Sequence, residues 1–211
     1  MSTSGGAVRL VGIYRLRTLG AVVGILCHAT VVSSAIAADM TPAWPGGVMS
    51  PSRLDGTDRY ELRLGAFAHG IGFEERGGVD VNAELVFPRI PIHLPPAWDF
   101  LVPQPHIGVM ANTGGKTSYV YAGFVWTLNL TERFFVQPMF GGAIHDGKLD
   151  NPPPDRVALG CPNLFHTGLS AGYRLTERWT LYGTWEHISN ANLCSRNVGL
   201  NNYGGRIGYK F

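Results

Sequence analysis

The sequence lacks three features that define common classes of protein. It has no excess of charge of either sign, because 17 Lys and Arg residues nearly balance 15 Asp and Glu residues and leave a formal net charge of +2. This balance excludes nucleic acid as an expected partner. Beyond residue 57 there is no amphipathic helical periodicity, which argues against a helical fold. No metal site and no cofactor are expected. The spacing of a metal-ligating histidine pair, such as His-x-x-x-His, does not occur among His69, His93, His106, His145 and His166.

The chain begins with the pattern of an export signal. Basic residues from Arg9 to Arg17 precede a mostly apolar stretch at residues 19–32. Ala35-Ile36-Ala37 then forms a small-x-small cleavage site. A retained membrane anchor is the weaker alternative, because hydroxyl groups and a histidine interrupt the apolar stretch.

The cleavage site divides the chain into three parts. We expect residues 1–37 to be a signal peptide, residues 38–57 to be an irregular lead-in rich in Pro, Gly and Ser, and residues 58–211 to form one domain. Two cysteines remain after the signal, Cys161 and Cys194. Two cysteines in an exported protein more often pair than not, so we predict a disulfide, with free thiols as the alternative that spacing leaves open.

The domain consists of segments of about ten residues in which apolar and polar residues alternate, separated by turn residues. A period of two is typical of strands that bury one face. We predict eight strands, at Tyr60–Phe73, Val79–Phe87, Leu101–Asn112, Thr117–Leu130, Phe134–Asp146, Leu164–Leu175, Trp179–Asn190 and Asn201–Phe211.

Strand and loop lengths together predict a barrel in a membrane. Tilted strands of about ten residues cross the hydrocarbon core, and a closed barrel satisfies every backbone group in lipid. The connections Thr131-Glu132-Arg133 and Thr176-Glu177-Arg178 are short, whereas those at residues 146–163 and 191–200 are long and polar. The terminal Phe211 resembles the assembly signal of bacterial outer-membrane proteins. We therefore predict an all-β, eight-stranded antiparallel transmembrane β-barrel, with a soluble eight-stranded barrel as the alternative.

Two further features are expected to be structural. The proline-rich segment at residues 88–105 does not fit a short turn, and we expect it to pack beneath the barrel. Glu61 and Arg63 on the first strand, with Arg206 and Lys210 on the last, occupy lumen positions of neighbouring strands. They are expected to form interior ion pairs.

The topology places one polar pair on the outside of the barrel. With a periplasmic N-terminus, the short turns are periplasmic and the long loops extracellular. On the seventh strand the odd-numbered residues from Trp179 onward are the more apolar set and should face lipid. His187 and Ser189 belong to this set at its extracellular end, where polar groups are costly unless they have a function.

The stretch WEHISNANLCSRN, Trp185 to Asn197, places His187 two residues before Ser189. On a strand, such residues project from one face with Cα atoms about 7 Å apart. A serine hydroxyl attacks an ester when a base removes its proton, and histidine usually does this. His-x-Ser alone occurs by chance in many proteins, so the surrounding residues decide.

HISNANL followed by NVGLN, within residues 187–201 at the last hairpin, resembles the PagL-type lipid A 3-O-deacylases of Gram-negative outer membranes. The resemblance implies an outer-membrane serine esterase that acts on lipid A, or lipopolysaccharide, in the outer leaflet. His187 would be the general base and Ser189 the nucleophile. Oxyanion or positioning roles fall on Asn190, Asn192 and Asn197.

The sequence departs from that family at two positions. The family's third catalytic member is a glutamate near the start of the last strand, which maps to Asn201. An amide oxygen can still accept a hydrogen bond from the imidazole, as in Cys-His-Asn proteases, but it stabilises imidazolium less. Asn192 stands where the family often has glycine. Two alternatives stay open: a non-catalytic small barrel of structural or adhesion type, which Asn201 favours, and a phospholipase that uses the same Ser/His pair.

Overall fold

The computed structural model describes residues 55–72 and 75–211. The predicted signal peptide and most of the predicted lead-in lie outside the described residues, as does the end of the predicted first strand at Phe73. Within the described residues, no helix is long and apolar enough to span a membrane.

One antiparallel sheet closes on itself. Its strands within the described residues are β1 (Glu61–Ala68), β2 (Val79–Val86), β3 (Gln104–Asn112), β4 (Tyr119–Val125), β5 (Leu128–Asn129), β6 (Phe134–His145), β7 (Asn163–Arg174), β8 (Trp179–Ser189) and β9 (Leu200–Lys210). β1 pairs with both β2 and β9, and β4 pairs with both β3 and β6. Because β5 continues β4 along β6, the barrel has eight strands, and the predicted architecture is confirmed.

Burial alternates along the strands as the sequence pattern predicts. On β8, Trp179 and Leu181 are exposed, whereas Thr180, Tyr182 and Glu186 are buried. The odd-numbered residues of β8 therefore face outward and the even-numbered ones face the interior. β9 follows the same parity, with Tyr203 and Ile207 exposed and Asn202 and Arg206 buried.

Charged and polar side chains fill much of the interior, together with a cluster of buried apolar and aromatic residues. Arg63 contacts Glu61 at 2.9 Å and Glu84 at 3.2 Å, all three buried. Arg206 pairs with Glu186 and lies 3.6 Å from Glu84. The predicted interior position of these charges is confirmed, with Glu84 and Glu186 as the partners that connect the strands.

The predicted fourth strand, Thr117–Leu130, is wrong as one continuous strand. It is interrupted at Trp126 and Thr127, between β4 and β5. The break lies opposite Pro138 of β6, whose carbonyl accepts from the Trp126 N–H but which has no N–H to donate in return.

The predicted third strand begins too early. Pro96–Leu101 forms a 3-10 helix instead, and β3 starts at Gln104. The proline-rich segment packs at the end of the barrel that carries the turns at residues 130–133 and 175–178, here called the turn end. The Arg89 N–H donates to the Thr57 carbonyl, and the Trp126 indole N–H donates to the Leu101 carbonyl at 2.9 Å.

A buried carboxylate joins three loops at the opposite end, here called the loop end. Glu75 accepts hydrogen bonds from the Thr117 N–H and hydroxyl, both 2.7 Å, and from the Val157 N–H at 3.0 Å. His69 contacts Glu75 at 3.5 Å and Asp80 at 2.9 Å. Loops 69–78, 113–118 and 146–162 are therefore held together by one cluster, here called the Glu75 cluster.

Opposing effects set the pKa values in this cluster. Burial by itself would lower the pKa of His69, but the carboxylates of Asp80 and Glu75 outweigh it and raise the pKa to about 9. Burial alone would raise the pKa of Glu75, but hydrogen bonds from His69, Val157 and Thr117 lower it to about 2. Both groups are therefore charged at neutral pH.

Candidate active site

Three polar side chains lie together on the outer face at the loop end. His187 and Ser189 occupy outward positions of β8, and Asn201 occupies the outward position opposite His187 on β9. All three are half-buried. Directly opposed side chains on an antiparallel pair lie within about 5.5 Å of each other at Cβ. The register therefore brings His187 and Asn201 into contact.

The contact between these two residues is a hydrogen bond. His187 Nδ1 lies 2.9 Å from Asn201 Oδ1. The same oxygen accepts a hydrogen bond from the indole N–H of Trp185 at 3.0 Å. Since Oδ1 is an acceptor, Nδ1 of a neutral His187 carries the ring proton, and Nε2 keeps the lone pair that a general base needs.

Ser189 lies one outward position beyond His187 on the same strand. Its hydroxyl makes no hydrogen bond to another protein group within the described chain, and its cross-strand neighbour on β7 is Phe165. Hydrogen bonds between a nucleophile and its general base are often long before substrate binds, so the lack of this bond does not argue against the pair.

Gly199 provides the space for the imidazole. A Cβ atom at this position would lie 2.9 Å from Cε1 and 3.5 Å from Nε2 of His187. Its φ of +73° also lies in the left-handed region, which glycine adopts without strain. A side chain here would therefore both strain the backbone and displace the ring.

Asn190 does not face the outer site, which differs from the expectation that it contributes to an oxyanion hole. Asn190 directly follows β8, and its side chain is turned inward and buried. Its Nδ2 donates to the carbonyls of Leu159, at 2.7 Å, and Arg196, at 2.5 Å. Its N–H donates to Asn197 Oδ1 at 2.9 Å. These donors hold the loop that follows β8 rather than pointing at a substrate.

Asn197 and Asn192 complete this loop. Asn197 Nδ2 donates to Asn192 Oδ1 at 3.1 Å, so the side chains span the turn. Ala191 and Asn192 have φ angles of +52° and +64°. Non-glycine residues with positive φ are strained and cluster at functional sites, and asparagine tolerates this region better than most. Asn192 in place of glycine is thus compatible with the backbone.

The two N–H groups of this strained turn are free to bind an anion. Within the described residues, neither the Ala191 nor the Asn192 N–H donates to a protein acceptor. Successive N–H groups in such conformations form concave anion sites. They directly follow the strand that ends in Ser189.

A disulfide joins the two long loops next to the site. Cys161 of loop 146–162 is bonded to Cys194 of loop 190–199, with Cα atoms 6.0 Å apart. His145, at the end of β6, donates to the Cys161 carbonyl at 2.6 Å. The loop that carries the asparagines is therefore anchored to the barrel wall.

An apolar groove runs along the outer face beside Ser189. It has a volume of about 450 Å³ and is open to the side. Its walls are the exposed rings of Phe140 and Phe165 together with Leu193, and Gly142 leaves its floor without a side chain. Because Phe165 is the cross-strand neighbour of Ser189, one wall of the groove borders the serine.

Sequence reasoning missed Trp185 and Gly199 as parts of the site. The stretch WEHISNANLCSRN begins at Trp185 without giving it a role, although its odd position on β8 puts it on the same face as His187. The positive φ of Gly199 and its approach to the imidazole depend on the folded hairpin. The alternation of odd and even residues along the strand would have been enough to predict that Trp185 shares a face with His187.

The fold and the site define an outer-membrane β-barrel with a polar histidine–serine–asparagine group on its outward face. Residues 88–210 match the family model described as Lipid A 3-O-deacylase (PagL), and this match covers more than half of the chain. The chain belongs to this family.

One solved structure supports the same architecture. The crystal structure of the outer membrane enzyme PagL matches with a TM-score of 0.55 at 17% identity, over 72% of this chain and 99% of that one. The N-terminal β-barrel domain of Pseudomonas aeruginosa OprF gives 0.49 at 9% identity, over 73% of this chain and 98% of that one. At these identities the likeness concerns the fold alone. No curated protein sequence matches the chain significantly.

Proposed function

We propose that this protein is an outer-membrane esterase that removes an ester-linked acyl chain from lipid A, by 3-O-deacylation, with Ser189 as nucleophile and His187 as general base. The family to which the chain belongs supports the substrate class. The hydrogen bond from His187 Nδ1 to Asn201 Oδ1 is the observation that carries the mechanism, because it leaves Nε2 unprotonated on the side of the ring away from Asn201.

The proposed reaction has two steps, acylation of Ser189 and hydrolysis of the acyl-serine. His187 Nε2 accepts the hydroxyl proton as Ser189 Oγ attacks the ester carbonyl carbon, and the resulting oxyanion is bound by backbone N–H groups after β8. The imidazolium then returns the proton to the sugar oxygen, the ester bond breaks, and an acyl-serine forms. Water, deprotonated by His187, attacks this second ester and releases the fatty acid and free Ser189.

The position of the site suits a substrate that stays in the bilayer. His187 and Ser189 face outward, on the same wall as exposed apolar residues such as Leu181 and Ile207. We place the loop end at the extracellular side, so the site reaches outer-leaflet lipopolysaccharide. The groove beside Ser189 is apolar and open laterally, which suits an acyl chain.

The two alternatives make different predictions in the same experiment. Purified protein in detergent is incubated with lipid A or with phospholipid, and the products are identified by mass spectrometry. We expect lipid A to lose one ester-linked acyl chain and phospholipid to remain intact. Release from phospholipid alone would identify a phospholipase. Release from neither, by a barrel that migrates as folded in unheated gels, would favour a non-catalytic barrel.

A further inference from the structure

The Asn201 side chain must have its amide in one of two orientations, a restriction that would not apply to a carboxylate. The two ends of a side-chain amide have nearly the same shape but opposite hydrogen-bonding character, since one end accepts and the other donates. Only the oxygen end can accept from His187 Nδ1. If the amide rotated by half a turn, its NH₂ group would face Nδ1, the ring proton would move to Nε2, and the base would be lost.

The structure contains a group that fixes the amide. The Trp185 indole N–H is a donor with no acceptor capacity, and it points at Asn201 Oδ1 from 3.0 Å. His187 Nδ1 approaches the same oxygen at 2.9 Å. One carbonyl oxygen has two lone pairs, so it can accept both bonds. The rotated amide would place an NH₂ donor against the indole N–H donor.

The strand register makes this arrangement specific. Trp185 and His187 are successive outward residues of β8, and Asn201 is directly opposite His187 on β9. Trp185 reaches Asn201 along the diagonal of this pair, a distance that long side chains cover. Its ring lies 26° from parallel to the imidazole, with centroids 6.2 Å apart. The indole therefore borders both members of the hydrogen bond.

We propose that Trp185 is a positioning residue whose indole N–H holds the Asn201 amide with its oxygen toward His187, and so fixes the Nδ1-protonated form of the imidazole. An interfacial tryptophan needs no such bond, because its polar edge is satisfied by water or lipid headgroups. The link to reaction rate rests on the proposed function, whereas the ring-proton position can be measured without any substrate.

The kinetic test compares Trp185→Phe in two backgrounds. Phenylalanine keeps an aromatic ring and removes the donor. With Asn201 present, we expect kcat to fall roughly three- to tenfold with KM nearly unchanged, since one neutral hydrogen bond that biases the amide is lost. In Asn201→Glu the same change should cost less than about twofold, because both carboxylate oxygens accept. Equal losses in the two backgrounds would overturn the proposal.

Trp179→Phe is the matched control. Trp179 is an exposed, outward tryptophan of the same strand at the turn end. We expect this variant to keep the parental kcat, because it alters the lipid-facing surface without contacting Asn201. A loss equal to that of Trp185→Phe would assign the effect to the membrane surface instead and would contradict the proposal.

The second readout is the protonation state of His187, from nitrogen-15 NMR of histidine-labelled protein in micelles. The chain has 7 histidines, and His187→Gln assigns the signal. We expect Nδ1–H in the parent and a mixture with Nε2–H in Trp185→Phe. An unchanged ring in that variant would refute the proposal, whatever the activity. If the parent ring is Nδ1–H but no lipid A is cleaved, the proposed function fails and this inference stands.

If Trp185→Phe does not fold, the same contact is tested from the other side. Asn201→Leu removes the acceptor and leaves Trp185 in place. The indole N–H resonance of Trp185 should then move toward the position of an indole without a protein acceptor. A resonance that stays where it was would show that the bond does not form.

Discussion

The inside and the outside of this barrel use polar residues in opposite ways. Inside, charges are abundant and buried, and most are placed against an opposite charge, as Arg206 is against Glu186 and Glu84. Outside, the wall is largely apolar, and the polar group at the loop end stands out against it. Here Asn201 holds His187, while the hydroxyl of Ser189 has no protein partner among the described residues.

The difference indicates which polar groups serve the fold. A buried charge that lost its partner would destabilise the barrel, so the interior pairs are explained by structure alone. A serine hydroxyl on the outer wall stabilises nothing that the structure reveals. A histidine held in one orientation beside it is what a nucleophile requires, and the fold does not require it.

The largest expected effect removes the outer pair. Ser189→Ala or His187→Ala should lower lipid A deacylation at least about a thousandfold while leaving a folded barrel, because members of a catalytic unit act together. The assay is fatty acid release by purified protein in detergent. Ser195→Ala is the control, since Ser195 is an exposed serine of the adjacent loop. Alanine variants that retain the parental rate would disprove the assignment.

Substitution of an interior charge should instead lower the stability of the barrel. Glu186→Ala leaves Arg206 without its closest carboxylate and should destabilise the barrel by about 3–5 kcal/mol. Urea titration of folding into detergent measures this free energy. Glu177→Ala, in an exposed turn, should have little effect. If both variants unfolded at the same urea concentration, the interior network would not be what stabilises the fold.

The disulfide connects the outer site to the barrel. Mass mapping without reductant should find the peptides of Cys161 and Cys194 linked. Replacing both with serine should reduce stability by about 3 kcal/mol, since the bond closes a long loop of sequence separation 33. Two free thiols in the exported protein would contradict this prediction.

Substitutions of Asn201 test how much the reaction rate depends on the side chain that holds His187. Asn201→Glu should raise the rate roughly tenfold or more, because a carboxylate stabilises the imidazolium that forms as Ser189 loses its proton; in a serine protease the reverse change from aspartate to asparagine costs about 10⁴. Asn201→Ala should lower the rate. Unchanged rates in both variants would mean that Asn201 does not influence catalysis.

Sequence patterns predicted the barrel and the facing of its strands because both depend on period-two alternation, which is local. They did not predict the break at Trp126 and Thr127, which depends on a proline in the neighbouring strand. The family resemblance gave Asn190 an oxyanion or positioning role, but a motif gives order along the chain and not the direction of a side chain, and the Asn190 amide is turned inward. Trp185 entered the site only when register placed it diagonally from Asn201.

The smallest expected effect concerns pH and the Glu75 cluster. The raised pKa of His69, about 9 instead of 6.5, gives stability that is complete below about pH 6.5 and is lost as pH rises through 9. The lowered pKa of Glu75, about 2 instead of 4.5, gives stability that is complete above about pH 4.5 and is lost as pH falls through 2. Both contributions are complete between about pH 4.5 and 6.5.

Hydrogen exchange at the Val157 amide measures this dependence, because its N–H donates to Glu75. After correction for the intrinsic exchange rate, its protection should be greatest in that window and should fall as pH rises from about 6.5 to 9. The Trp126 amide, bonded to the Pro138 carbonyl near the turn end, should keep constant protection over the same range. Val157 protection that stays flat from about pH 6 to 10 would show that His69 does not hold the loops through its charge.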